Sequence, residues 1–157
     1  MLRELAAIAL GSNQDSEGGR DRRGNLLEAV ERVKGLGEVV AVSSFYDTAP
    51  VGYVEQPRFL NGALLLETEL APVELLRELL AIERSMGRVR GVDKGPRVID
   101  LDVLLYGQAV METAELTLPH TEMAERRFVL EPLAEIAPWM VHPVLGLTVG
   151  ELLAKLQ

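Results

Sequence analysis

The chain has 157 residues, 48% of them hydrophobic and 25% charged, which predicts one folded domain over residues 1–157 with a substantial apolar core. A net charge of −8, with one Trp, three Tyr and three Phe, argues against a general nucleic-acid-binding protein. The absence of cysteine excludes disulfides and thiolate metal sites. The first ten residues hold an apolar stretch too short to cross a membrane, and no signal-peptide cleavage site follows, so a cytoplasmic location is expected.

The first predicted elements are a strand and a helix. Residues 5–10 form an apolar run that ends at a Gly-Ser-Asn turn, which indicates a short buried strand. Asn25 and Glu28 have the spacing of a capping box, so a helix is expected to open there and to end near Gly35. Its buried face would carry Leu26, Val30 and Val33.

Two further strands and a second helix follow. Residues 38–46 and 59–67 are rich in the residues that favour strands. Pro72 suits the first turn of a helix, and Gly87 suits its end. The apolar residues between them recur at helical spacing: Leu75, Leu79, Ile82 and Met86. With a strand near residue 100, the order is βαββαβ, which predicts an α+β fold with a ferredoxin-like core.

The last third of the chain predicts a C-terminal extension of short strands and helices. A hairpin is expected to pair Ala109-Val110 with Leu116, and helices are expected over residues 125–135 and 148–155.

An acidic pair interrupts the apolar run of residues 95–107. Strand alternation places its residues on two faces: Ile99, Leu101, Val103 and Leu105 on one, and Val98, Asp100, Asp102 and Leu104 on the other. The two carboxylates would point the same way from Cα atoms roughly 6.6 Å apart. Because like charges raise each other's pKa, a cation is expected nearby, and Mg²⁺ shared with substrate phosphates would suit them. An acid pair at a sheet edge, exposed to water or paired with arginines, is the alternative.

A basic cluster lies just before this strand: Arg84, Arg88, Arg90, Lys94 and Arg97, with Glu83 among them. Arginines beside a magnesium-binding acid pair are typical of phosphoryl-transfer sites, where they hold phosphate oxygens as charge develops. A solvated loop that only neutralises nearby acids is the simpler interpretation of the cluster alone. Two long segments, residues 47–58 and 87–97, have the length of functional lids.

These motifs, in this order and spacing, resemble the 6-hydroxymethyl-7,8-dihydropterin pyrophosphokinase family of folate biosynthesis. The most diagnostic is GPRVIDLDVLLYG at 95–107. The others are IALGSN at 8–13, SSFYDTAPVG at 43–52, QPRFLNGAL at 56–64, IERSMGRVR at 82–90 and LTLPH at 116–120. The resemblance covers nearly the whole chain. It implies transfer of an intact pyrophosphoryl group from ATP to the pterin hydroxymethyl group, with release of AMP.

The resemblance also implies roles for individual residues. Asp100 and Asp102 would hold two Mg²⁺ ions, and Arg88 and Arg97 would be catalytic, stabilising charge on the transferred group. ATP would be bound by residues matching the nucleotide positions of the family: Glu83, Arg90, Val103 (through nearby backbone), Thr117, His120 and Arg126. Pterin would be bound by Thr48 and Val51, mainly through backbone, and by Phe59, Asn61 and Phe128. Expected partners are these small molecules, without nucleic acid or membrane, and a monomer is expected.

Some of these residues have simpler interpretations without the resemblance. Phe59 and Phe128 would be core residues, Asn61 would satisfy a strand end, and His120 would be a capped structural histidine, as His142 is expected to be.

The chain also departs from the family at two positions. Lys94 stands where many relatives have an aromatic residue, and Glu115 where some carry a basic one.

Two other functions remain open from the residues alone. A different Mg²⁺-dependent transferase, acting on nucleotides or sugars through the Asp-x-Asp pair, would explain the acids and arginines but not the settings of Asn61 and Phe128. A non-catalytic ferredoxin-like binding module would explain the fold but has no use for two aspartates on a central strand. A P-loop kinase is excluded, because no GxxxxGK[ST] motif occurs.

Overall fold

An antiparallel sheet of five strands forms the centre of the structure, a computed structural model that describes residues 2–50, 55–87 and 97–156. The strands are β1 (Glu4–Ser12), β2 (Glu38–Val42), β3 (Tyr46–Thr48), β4 (Phe59–Thr68) and β5 (Asp100–Tyr106). Their spatial order is β2-β4-β1-β5, and the short β3 pairs with the beginning of β4. Every pairing is antiparallel.

Two helices cover each face of this sheet. The chain order places α1 (Arg22–Val33) between β1 and β2, and α2 (Pro72–Ser85) between β4 and β5. The strand order around these two crossovers is that of the ferredoxin-like βαββαβ core, so the predicted fold class is confirmed. The C-terminal extension adds α3 (Arg127–Ile136), α4 (Val149–Lys155) and a two-stranded hairpin, β6 (Met111–Glu112) and β7 (Thr117–Leu118).

The core has two layers, because the sheet buries apolar side chains on both faces. On the face of α1 and α2, strand residues such as Ile8, Leu66 and Val103 pack with Leu26, Leu75 and Leu79. On the face of α3 and α4 the strands contribute Ala7, Ala63, Leu65, Leu104 and Leu105, and the helices contribute Leu130, Leu133 and Leu152. No helix within the described ranges is both long and apolar enough to cross a membrane.

The predicted alternation along β5 is correct for its first half and wrong for Leu105. Leu101 and Val103 face α1 and α2, whereas Leu104 and Leu105 both join the core under α3. The cause is a register shift against β1: Val103 pairs with Ile8 but Leu105 pairs with Ala7, so Leu104 is an extra residue on its strand. Such a bulge reverses the side-chain direction beyond it.

The predicted start of the first helix is also wrong. Asp21 is the N-cap of α1, and its side chain accepts a hydrogen bond from the Gly24 backbone N–H at 2.8 Å. Asn25 lies inside the helix, fully buried, and its amide donates to Ser12 Oγ at 3.2 Å and to the Gln14 carbonyl at 2.9 Å. Its side chain therefore ties α1 to the end of β1 instead of capping the helix.

The second helix was predicted correctly at both ends. It begins at Pro72 and is followed by Gly87 at a φ of 93°, a conformation that favours glycine. The predicted C-terminal hairpin is displaced: Met111 pairs with Leu118 and Glu112 with Thr117, so Ala109-Val110 and Leu116 are not the paired residues.

Candidate active site

A cleft opens on the α3 side of the sheet, beyond the first turn of that helix. It brings together nine of the residues predicted from the sequence, from five separate segments of the chain. They are Thr48, Phe59, Asn61, Arg97, Asp100, Asp102, His120, Arg126 and Phe128. Acidic, basic, amide and aromatic groups therefore share one concave surface, the arrangement expected for binding a polar substrate.

The acidic pair lies at the start of β5, on the cleft side of the sheet. Asp100 pairs with Gly11 and Asp102 with Ala9 of β1, so small residues stand beside both carboxylates. Both aspartates are half-buried. Within the described residues no third His, Asp or Glu joins them to make a metal-binding group. The pair fits an ion that takes its remaining ligands from substrate phosphates and water, as Mg²⁺ does.

Arg97 is held against this acidic pair by both its side chain and its backbone. Its Nη1 lies 3.0 Å from Asp100 Oδ2, and the two side chains are only 21% and 24% exposed. The Arg97 N–H donates to Asn13 Oδ1 at 2.7 Å, and its carbonyl accepts from the Asn13 N–H at 3.0 Å. The cation is therefore fixed beside the carboxylates by contacts within the protein.

Asn13 holds Arg97 through contacts that the sequence did not predict. Its side chain is 2% exposed, and its Nδ2 also donates to Gln56 Oε1 at 2.7 Å and to the Pro57 carbonyl at 3.0 Å. It thus joins the end of β1 to residues near the end of each of the two long segments, 47–58 and 87–97. The Gly-Ser-Asn turn indicates the end of a strand, but not these partners.

The amide of Asn61 lies on the opposite side of the cleft. Asn61 is buried, and its Nδ2 donates to Thr48 Oγ1 on the neighbouring strand β3. A Cβ placed on Gly11 would lie 3.0 Å from Asn61 Oδ1, so glycine leaves the space that this amide occupies. Phe59 and Phe128 are half-buried and line the same cleft, one from β4 and the other from α3.

His120 and Arg126 form the remaining polar edge of the cleft. The His120 Nδ1 accepts from the Glu122 N–H at 3.2 Å, and burial together with the charge of Arg126 holds the pKa of His120 below its usual value. The lowered pKa favours the neutral imidazole at pH 7, and the hydrogen bond accepted at Nδ1 favours the tautomer with its proton on Nε2. Arg126 pairs with Glu122 and lies over the Phe128 ring at 5.5 Å.

Three predicted residues do not line the cleft. Glu83 is 2% exposed, and its carboxylate accepts the Leu101 N–H at 2.7 Å, so it supports β5 from α2. The Val103 side chain packs in the core under α1 and α2. Thr117 lies on β7 and lines, together with His120, a second depression.

The remaining residues singled out in the sequence lie outside the cleft or outside the described part of the chain. Arg88, Arg90 and Val51 fall outside the described residues, as does Lys94. Glu115, which stands where some relatives carry a basic residue, forms a bidentate ion pair with Arg77 at 2.8 and 3.1 Å. Its charge is therefore paired at the surface.

Comparison with known proteins identifies a family. Residues 7–138 match the family model for 7,8-dihydro-6-hydroxymethylpterin-pyrophosphokinase (HPPK). A 2-amino-4-hydroxy-6-hydroxymethyldihydropteridine pyrophosphokinase from Methylorubrum extorquens is 47% identical over 153 residues, which cover 96% of this chain and 92% of the relative. The folic acid synthesis protein fol1 of Schizosaccharomyces pombe is 40% identical over 153 residues, 98% of this chain.

Some of the matching proteins are much longer than this chain. It spans 20% of the S. pombe protein. The Plasmodium falciparum HPPK-DHPS crystal structure with pteroate aligns with a TM-score of 0.77 and 16% identity over 98% of this chain and 42% of that one. At that identity the structural match supports the fold alone.

Proposed function

The chain belongs to the 7,8-dihydro-6-hydroxymethylpterin-pyrophosphokinase family, and we propose that it transfers the pyrophosphoryl group of ATP to 6-hydroxymethyl-7,8-dihydropterin, releasing AMP. One observation carries the proposal: the acidic pair, Arg97, the Asn61 amide and two phenyl rings line a single cleft. A triphosphate and a flat, hydrogen-bonding heterocycle are the two ligands that such a mixed surface suits.

In the proposed reaction the hydroxymethyl oxygen of the pterin attacks the β-phosphorus of ATP. The bond from that phosphorus to the oxygen bridging the α- and β-phosphates breaks, its electron pair leaves with AMP, and the hydroxyl proton is released. Asp100 and Asp102 would hold Mg²⁺, with two ions expected, and the bound cations would screen the triphosphate charge. Arg97 would donate hydrogen bonds to phosphoryl oxygens as their charge increases, an effect worth about 10²-fold or more in rate. Arg88 is proposed to share this role.

The two substrates would occupy different parts of the cleft. Asn61 offers both donor and acceptor groups to the mixed edge of the pterin, and Phe59 and Phe128 would stack against its faces. Thr48 orients the amide by accepting its N–H, and Val51 is proposed to contribute backbone. His120, neutral with a donor Nε2, and Arg126 would bind the nucleotide together with Arg90 and Thr117. Glu83 would act indirectly, since it supports the β5 backbone that leads to Val103.

The test is to incubate purified protein with Mg²⁺, ATP and the hydroxymethyl pterin, and to quantify AMP, ADP and pterin diphosphate. We expect AMP and pterin diphosphate in equal amounts, and at least a hundredfold loss of rate in Asp102→Asn, which keeps the size of the side chain and removes its charge. Glu131→Gln, a change of an acid that pairs with Arg127 at 3.0 Å outside the cleft, is the matched control. Formation of ADP would refute transfer of the intact pyrophosphoryl group.

A further inference from the structure

Helix α3 is joined to the edge strand β3 by one carboxylate. Glu135, near the end of α3, accepts hydrogen bonds from the Ser44 N–H at 3.0 and 3.1 Å, from Ser44 Oγ at 3.0 Å and from the Tyr46 hydroxyl at 2.6 Å. Both carboxylate oxygens are engaged. The partners lie 89 and 91 residues away in the chain. None of these three residues lines the cleft, yet they connect the two elements that form its walls.

The first wall is built on β3 and β4. Tyr46 and Thr48 are two residues apart on β3 and so point to the same side of the strand. In the ladder Tyr46 pairs with Asn61 and Thr48 with Phe59. Glu135 therefore holds β3, the strand that carries Thr48, and Thr48 accepts the hydrogen bond of the Asn61 amide. A shift of β3 relative to α3 would move Thr48 and, through its hydrogen bond, the Asn61 amide.

The second wall is the start of α3, which carries Phe128. Glu135 follows Phe128 by seven residues, about two helical turns or roughly 10 Å along the axis, and lies on the same face of the helix. One helix thus presents the aromatic ring to the cleft and, two turns later, the carboxylate to β3. The Glu135 contact therefore links the helix of Phe128 to Thr48 and the Asn61 amide, in addition to the packing of Leu130 and Leu133 of α3 on Ala63 and Leu65 of β4.

The other side of β3 is attached differently. Asp47 points away from Tyr46 and Thr48 and pairs with Arg22 at 3.0 Å and with Arg58 at 2.5 Å. Those ion pairs join β3 to α1 and to the residue before β4, and leave α3 untouched. Removal of the Glu135 carboxylate would therefore release β3 from α3 while the ion pairs of Asp47 remain.

We propose that Glu135 is a positioning residue for the pterin: by holding Ser44 and Tyr46 it sets the distance between Phe128 and the Thr48–Asn61 pair. This inference rests on the proposed function, because it assigns the pterin to the space between those side chains. It also predicts a division between substrates, since His120, proposed for the nucleotide, precedes α3 and accepts its hydrogen bond from Glu122 and not from the Glu135 contact.

The experiment measures pterin binding by ligand fluorescence, and the KM values for pterin and for ATP separately. Glu135→Ala is expected to weaken pterin binding and raise the pterin KM about tenfold, equivalent to about 1.4 kcal/mol, with the ATP KM changed less than twofold. Glu135→Gln, which keeps a carbonyl acceptor, should give an intermediate effect. Glu131→Gln, on the same helix and paired with Arg127, should match the wild type in both constants.

A milder change guards against loss of the fold. Tyr46→Phe removes one hydroxyl and is expected to raise the pterin KM about threefold. In the double variant with Glu135→Ala, the rise in the pterin KM should be smaller than the product of the two single rises, because both changes break the same contact. Equal losses for ATP and pterin, or full pterin affinity in folded Glu135→Ala, would overturn the inference and leave the proposed function standing. A wild-type protein that binds no pterin would instead refute both.

Discussion

Substitution of Asn13 by alanine should show whether Asn13 fixes the position of Arg97 in addition to stabilising the fold. The Asn13 side chain is buried and makes three hydrogen bonds, one from the Arg97 N–H and two to Gln56 and Pro57. At a net value of about 0.5–1.5 kcal/mol each, with buried partners left unpaired, the loss amounts to about 2–4 kcal/mol. Because Arg97 would then be free to move by about an ångström relative to Asp100, we also expect kcat to fall about 10- to 100-fold.

The matched control is Asn25→Ala, which removes a buried asparagine from the neighbouring helix. Asn25 makes two hydrogen bonds, to Ser12 and Gln14, and none to the cleft residues, so its loss should cost about 1–2 kcal/mol. Urea unfolding gives the stability of each variant, and AMP formation at a temperature where both remain folded gives the rate. If Asn13→Ala and Asn25→Ala lose the same activity once both are folded, Asn13 does not position Arg97.

Three further predictions concern the titration of His142, the titration of Tyr46 and the space beside Asn61 in the cleft. Burial lowers the pKa of His142, so the unfolded chain takes up the proton first as pH falls, and stability should be full above about pH 7 and decline below pH 6.5. His142→Asn should reduce the difference in urea midpoint between pH 7.5 and 5.5, and an unchanged difference would refute this. The bond to Glu135 raises the pKa of Tyr46 to about 12, and Glu135→Gln should lower it toward 10 in an ultraviolet absorbance titration; a pKa that stays near 12 would contradict that cause. Gly11→Ala would bring a Cβ to 3.0 Å from Asn61 Oδ1, and should raise the pterin KM about three- to tenfold without changing the ATP KM, whereas equal changes in both would argue against the assignment of Asn61.

Local patterns predicted the elements and the placement of the main charged groups. Alternation along a strand depends only on a period of two, so Asp100 and Asp102 could be placed together on one face. The ends of α2 were predictable because Pro72 and Gly87 act through their own backbone conformation. Such signals need no knowledge of what packs against them.

Features set by distant contacts were not predictable in the same way. The Leu105 prediction failed because a bulge against β1 reverses the alternation, and a bulge is a property of the strand pair. Asn25 resembled a cap, yet burial against Ser12 and Gln14 made it a helix-interior residue. The Asn13 and Glu135 contacts span 84 and about 90 residues of sequence, and nothing near either residue identifies the partner.

The position of the cleft follows from how far α3 extends over the sheet. Leu104 and Leu105, in the second half of β5, pack with Leu130 and Leu133 and are closed off from water. Asp100 and Asp102, on the same face but in the first half, lie beyond the helix and remain half-buried. If α3 covered them, two carboxylates would be desolvated without ligands, at a cost far above what the apolar contacts could return. The change from Asp to Leu along one strand therefore marks the edge of the helix, and the charged half of the strand is where a phosphate-bearing substrate can reach it.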